Sequence, residues 1–184
     1  MRLGFFSCSI LVLATFALGC DEPVPPTPQG AFQVNFVDPG VDCPHMSHKS
    51  TMGTVSQTDR TTVLVDGVKE ASVACLVSGS GLGPFKLDAS LSFEGTEKLQ
   101  FNVAAIDSKA TEAAPAKGNV GFSSLVTGKS FSSDQPCDFY IESGGGEAVK
   151  PGAAWLSFKC PSLVESISTC SLGESYVLIE NCTQ

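Results

Sequence analysis

The chain is short of charge, and shorter still of basic charge. Lys, Arg, Asp and Glu make up 16% of its 184 residues, with 11 basic side chains against 19 acidic ones. A soluble domain usually carries about a quarter. A net charge of −8 argues against nucleic acid as a partner, and against electrostatic docking on anionic lipid, since both need a basic surface. Histidine is scarcer: His45 and His48 are the only two, and they share one segment. A Ser-His-Asp triad would have to draw its base from there, and no serine stands in G-x-S-x-G; Gly79-Ser80-Gly81-Leu82-Gly83 has the wrong spacing. No Lys-Ser/Thr follows Gly144-Gly145-Gly146 and no βα unit surrounds it, which removes a phosphate loop and leaves a flexible hairpin tip. Asp38 and Asp42 flank Pro39-Gly40, but two carboxylates are too few for a calcium loop. No acid is marked by its neighbours for glycosidase chemistry. These absences favour a protein that is not an enzyme.

Helical periodicity is also missing. Pro115 and Gly118 interrupt the Ala-rich stretch 107–119, which reads as a loop, and only 162–169 has room for one or two helical turns. After the N-terminal apolar run, no second one is long enough to cross a bilayer.

What is present is a period of two. Phe32, Val34 and Phe36 alternate with Gln33 and Asn35. Phe85, Leu87, Ala89, Leu91 and Phe93 alternate with Lys86, Asp88, Ser90, Ser92 and Glu94, and Leu99, Phe101 and Val103 with Lys98, Gln100 and Asn102. Such segments are strands with one dry face and one wet face. Residues 61–65, then Asp66-Gly67, then 68–77 read as a hairpin on a type I′ turn. Glu94-Gly95-Thr96-Glu97 reads as a second turn. Further strands are expected near 120–125, 137–142, 154–160 and 176–181. Short strands at this spacing predict an all-β fold, an antiparallel β-sandwich (immunoglobulin-like or jelly-roll-like) of about 8–10 strands.

The first nineteen residues have the parts of a secretory leader: Arg2 as the only charge, an apolar core over 5–18, then small residues up to Cys20. The run Ala17-Leu18-Gly19-Cys20 resembles the bacterial lipoprotein lipobox, although that pattern prefers Leu where Ala17 stands. The resemblance implies cleavage before Cys20, diacylglycerol and an N-acyl (palmitate-type) chain on that residue, and a membrane anchor. Each buried methylene contributes roughly 0.8 kcal/mol, so two or three acyl chains hold firmly where one does not. Loss of the leader removes Arg2, taking the net charge from −8 to −9. Asp21-Glu22-Pro23-Val24-Pro25-Pro26-Thr27-Pro28-Gln29-Gly30 carries four prolines in ten residues. It reads as a polyproline-like stalk of roughly 30 Å. The expected organisation is therefore leader 1–19, lipidated Cys20 and stalk over 20–30, and one sandwich domain over 31–184. The location is the cell envelope, facing the periplasm or the exterior.

With Cys8 lost and Cys20 lipidated, six cysteines remain: Cys43, Cys75, Cys137, Cys160, Cys170 and Cys182. An even number allows three bridges in an oxidising compartment. Phase aims Cys75, Cys137 and Cys160 at the core, and the expected pairs are Cys137–Cys160, Cys170–Cys182 and Cys43–Cys75. Val65-Asp66-Gly67 leading to Val73-Ala74-Cys75, with Phe158-Lys159-Cys160-Pro161, resembles uncharacterised cysteine-containing bacterial lipoproteins, a likeness that brings no activity with it.

Two candidate sites follow. His45, His48 and Met52 lie within one short stretch, and imidazole with thioether suits copper. On a turn they would share one side; the alternative is a polar connecting loop with a buried methionine. Trp155 is out of phase with Leu156 and Phe158, so it faces away from the core, where an exposed aromatic would stack on a sugar ring or anchor a partner. Its alternative is a tryptophan covered by a loop. The leading functional expectation is a non-enzymatic binding module for a glycan or an envelope protein. A copper-handling periplasmic protein is the second.

Overall fold

The computed structural model describes residues 26–37, 43, 49–125 and 128–184. Among them there is no helix. Twelve strands form: β1 (Gln29–Val37), β2 (Lys49–Met52), β3 (Leu64–Val65), β4 (Ala71–Ser78), β5 (Phe85–Phe93), β6 (Glu97–Ile106), β7 (Ala116–Ser124), β8 (Lys129–Ser133), β9 (Cys137–Tyr140), β10 (Ala148–Lys150), β11 (Ala153–Glu165) and β12 (Ser168–Glu180). All their pairings are antiparallel, in the order β2-β1-β12-β11-β8-β7-β6-β5-β4. The strands β4 to β8 follow one another as neighbours. β8 and β9 lie end to end between β7 and β11, interrupted by Asp134-Gln135-Pro136.

The two halves of this sheet face each other across one core. The Phe36 ring on β1 packs 5.4 Å from Phe122 on β7 and 5.6 Å from Phe131 on β8. Glu97 on β6 accepts hydrogen bonds from Ser50 Oγ on β2 (2.6 Å) and Ser124 Oγ on β7 (2.7 Å). The alternating residues of β1, β5 and β6 bury as their period requires: Phe32, Val34, Phe85, Leu87, Leu91, Leu99 and Val103 have no exposed surface. Burying each such side chain contributes about 1.5–3 kcal/mol. Glu94 and Gly95 both have positive φ between β5 and β6, and Thr96 N bonds Phe93 O, as the sequence pattern predicts for that turn.

Other expectations need correction. Asp66-Gly67 does not close a two-residue hairpin. β3 pairs with β1 rather than β4, and Asp66 Oδ1 instead accepts from Val73 N across a wider turn. The stretch 162–169 is the end of β11, a tight turn with Ser166 at φ 54°, and the start of β12. β7 begins at Ala116, so the loop is shorter than 107–119. β8, with Phe131 as its only large apolar residue, and the three-residue β10 carry too little pattern to be read in advance.

Three disulfides join this frame. Cys137–Cys160 ties β9 to β11, as expected. The other two pairs differ from expectation: they are Cys43–Cys170 and Cys75–Cys182. Phase tells which way a sulfur points, not which strand lies opposite. β1 and β12 are sheet neighbours, so Cys43, just past β1, meets Cys170 on β12. β4 ends the sheet, and residues 182–183 run alongside it: Thr183 N bonds Cys75 O and Val77 N bonds Thr183 O. That segment, the Gly152 turn and Asp66 together cover an edge that would otherwise be open to strand addition.

Candidate functional site

Cys20, His45 and His48 lie outside the described residues. Met52 is inside, and its side chain is fully buried in the core, opposite Phe32. The copper expectation needed Met52 beside the two histidines at the surface, and β2 turns the thioether inward instead. Among the described residues no group of three or more His, Cys, Asp or Glu is placed to hold a metal ion.

Trp155 does point away from the main core, as its phase says, but it is not exposed: only 7% of its surface is accessible. It forms a small second cluster with Ala31, Val55 and Leu178. Residues 54–63 cross over it, and its Nε1 donates to Ser56 O at 2.9 Å. The Arg60 guanidinium sits 5.5 Å from the ring centroid. On the other side lies Gly146, where a Cβ would come within 2.3 Å of the Trp155 ring. Gly145 and Gly146 therefore pack against Gln57 and Trp155 between β9 and β10, while Gly144 stays open, and the segment is not a hairpin tip because β9 and β10 do not pair with each other. The expectation of an exposed tryptophan is corrected: Trp155 is covered, and it fastens two loops onto the outside of the sheet.

Next to it, Tyr140 on β9, Ser157 on β11 and Tyr176 on β12 stand in one row across the sheet. Glu147 closes over them, its carboxylate accepting from Ser157 Oγ and from Glu142 N, each at 2.7 Å. Burial raises the Glu147 pKa against the pull of those two hydrogen bonds. Burial likewise lifts Tyr140 to about 12, with Lys159 acting the other way, and Tyr176 to about 12, helped by Glu174. Lys159 is raised mainly by its 2.5 Å bond to Glu112. Both phenols thus stay protonated and the ammonium stays charged near neutral pH. Tyr140 and Ser157 have no exposed surface. This polar seam is thus buried at Tyr140, Ser157 and Glu147 and partly open at Tyr176 and Lys159.

An open polar groove lies on the opposite half of the molecule. The wet faces of β5, β6, β7 and β8 align in rows fixed by the register. One row is Asp88–Asn102–Asn119, the next is Ser90–Gln100–Gly121–Ser132, and the third is Ser92–Lys98–Ser123–Ser130. The first two line a shallow groove of about 390 Å³. The third lines a second hollow of about 360 Å³ beside it, towards the Glu94–Thr96 turn. Asn102 Nδ2 donates to Asp88 Oδ2 at 3.1 Å, which orients the carboxylate. Among the described residues the side-chain amides of Gln100 and Asn119 make no hydrogen bond to the protein, so both groups of each are open to a ligand.

The composition of this face is unusual for central strands. Asp, Asn and Gly are depleted in strands, and a wet face more often carries Thr or other β-branched and aromatic residues. Gly121 is the clearest case. Its φ lies outside the left-handed region, and a Cβ there would meet nothing closer than 3.9 Å. Neither backbone nor packing requires glycine, and its effect is to leave a dip in the floor. Local choices that work against the fold mark places where function is expected. The alternation that predicted β5 and β6 already contained Asp88, Ser90, Gln100 and Asn102 as wet positions; the missed signal was their small size and poor strand propensity.

Comparisons with family models, with curated proteins and with solved structures give no match.

Proposed function

We propose that this is a lipid-anchored module of the bacterial cell envelope that binds rather than catalyses, and that it holds its partner on the outer face of β5–β8. The observation that carries this reading is the groove over Asn102, Asn119 and Gly121, an open hollow built from residues that strands disfavour. The anchor rests on Gly19-Cys20 after an apolar core. The three disulfides are consistent with an oxidising compartment.

Two measurements test it. Mass spectrometry of the protein purified from membranes is expected to show a mature chain starting at an acylated Cys20; an unmodified N-terminus removes the anchor. Co-sedimentation of a form without residues 1–20, which has no anchor, with envelope fragments of the source bacterium tests the face. Gly121→Trp fills the dip with a strand-compatible side chain, and the expected result is at least a tenfold loss of sedimenting protein with unchanged circular dichroism. Equal sedimentation of both proteins removes the face from the account.

A further inference from the structure

Resting on that reading, we infer that the groove of β5–β8 is a site for a neutral, hydroxyl-rich glycan chain, with Asp88, Gln100, Asn102 and Asn119 as its recognition groups.

The chemistry of the lining selects the class. Every polar group in the first two rows is an amide, a hydroxyl or the single carboxylate of Asp88. An amide offers two donors and an acceptor, a hydroxyl one donor and an acceptor, and a carboxylate only acceptors. A sugar hydroxyl is both donor and acceptor, and such a set matches it from either side. A phosphate or carboxylate ligand would ask for cations, and the groove lining contains none. Lys98 enters only with the third row, beside Glu97. A cationic ligand would find one carboxylate, already bonded to Asn102. An apolar segment would find no exposed aromatic or large aliphatic side chain, because Phe101 and Val120 are themselves buried. Uncharged and polar is the class that remains.

The shape agrees. The rows run across three and four strands spaced about 4.8 Å apart, so successive side chains in a row advance by close to the length of one sugar ring in an extended chain. The row Ser90–Gln100–Gly121–Ser132 is the floor, lowest at Gly121. Asp88, Asn102 and Asn119 form one wall. A polymer lying along that floor meets the Asp88–Asn102 pair and then the free amide of Asn119.

The test uses the full-length protein in detergent and three soluble polymers: dextran and laminarin as neutral glycans, and alginate as an anionic one. Affinity electrophoresis or calorimetry reads the binding. A neutral glycan is expected to bind, alginate is not, and the binding is expected to change little between low and physiological salt. Asn119→Ala is expected to weaken it about three- to tenfold, and Gly121→Trp to abolish it. Because any surface change can disturb a strand, far-ultraviolet circular dichroism and the urea unfolding midpoint serve as the fold control for both variants. Binding of alginate alone, binding that ignores both variants, or no polymer bound at all overturns the inference. If envelope fragments still sediment wild type but not Gly121→Trp while neither neutral glycan binds, the face stands and its ligand class is wrong.

Discussion

Glu147 shows how much one side chain organises. Its carboxylate lies 7% exposed and takes hydrogen bonds from a hydroxyl on β11 and from the backbone at Glu142, so it fixes the 141–147 turn to the sheet. Burial, the largest cause, and the nearby Glu142 charge both raise its pKa. The sign then follows: a carboxyl whose folded pKa lies above the unfolded value favours folding most when protonated. Its contribution is present below the ordinary Glu value of about 4.3 and is lost as pH rises through the raised folded pKa. Glu147→Gln keeps an acceptor for Glu142 N and is expected to remove this decline, flattening urea stability against pH from that value upward. Glu147→Leu orphans the buried Ser157 hydroxyl and the part-buried Glu142 N–H and is expected to cost about 1–3 kcal/mol. A Gln variant with the wild-type pH profile contradicts the assignment. Residue-scale reading of the sequence went as far as phase allows. It set Trp155 on the outer face, but nothing in the local pattern showed that residues 54–63, a hundred positions away in the chain, would cover it. Met52 sat in a segment whose Ser, Thr and Gly content suggested a loop, and pairing with β1 turned it into core.

At the scale of elements, the strands with strong alternation were legible and their partners were not. β5, β6 and the turn between them depend on residues adjacent in sequence, so composition alone locates them. The pairs Cys43–Cys170 and Cys75–Cys182 close 127 and 107 residues, and depend on which strands the sheet order makes neighbours. The bridges are also unequally exposed. Cys43, Cys137, Cys160 and Cys170 are all at most 4% exposed, whereas Cys75 is partly open and Cys182 is 7% exposed. Thiol exchange needs access to sulfur. Limiting dithiothreitol is therefore expected to open Cys75–Cys182 first, and alkylation with peptide mapping identifies the pair. The segment it holds keeps only a few hydrogen bonds to Cys75, Val77 and Gly152. Once reduced, residues 181–184 are expected to become protease-sensitive while the core stays folded. The chain-entropy model gives about 4.7 kcal/mol for closing a loop near 100 residues, an upper figure for what Cys75→Ser with Cys182→Ser loses in urea. Earlier opening of Cys137–Cys160 contradicts this order.

The whole molecule joins a disulfide-tied frame to a shallow polar face. β1 and β12 are sheet neighbours although Gln29 and Glu180 are 151 positions apart, so the sandwich is complete only when the last strand is in place. The groove on its far half is shallow and offers no exposed aromatic platform, so each site is expected to hold a glycan weakly. A lipid anchor changes the arithmetic. Under the proposed anchoring through Cys20, copies held in one membrane would meet successive repeats of one polymer, and every binding event after the first would be intramolecular. Such linkage raises overall avidity by about 10²–10⁴ without a new contact. The acylated protein in phosphatidylethanolamine–phosphatidylglycerol vesicles is therefore expected to retain long dextran at least about a hundredfold more tightly than the soluble Cys20→Ala form. The gain is expected to vanish for an oligosaccharide too short to reach two copies. The chain's net charge of −8 argues against an electrostatic source for the gain, so added salt is expected to leave it in place. Equal retention of long dextran by the two forms means that the anchor positions the module without multiplying its grip.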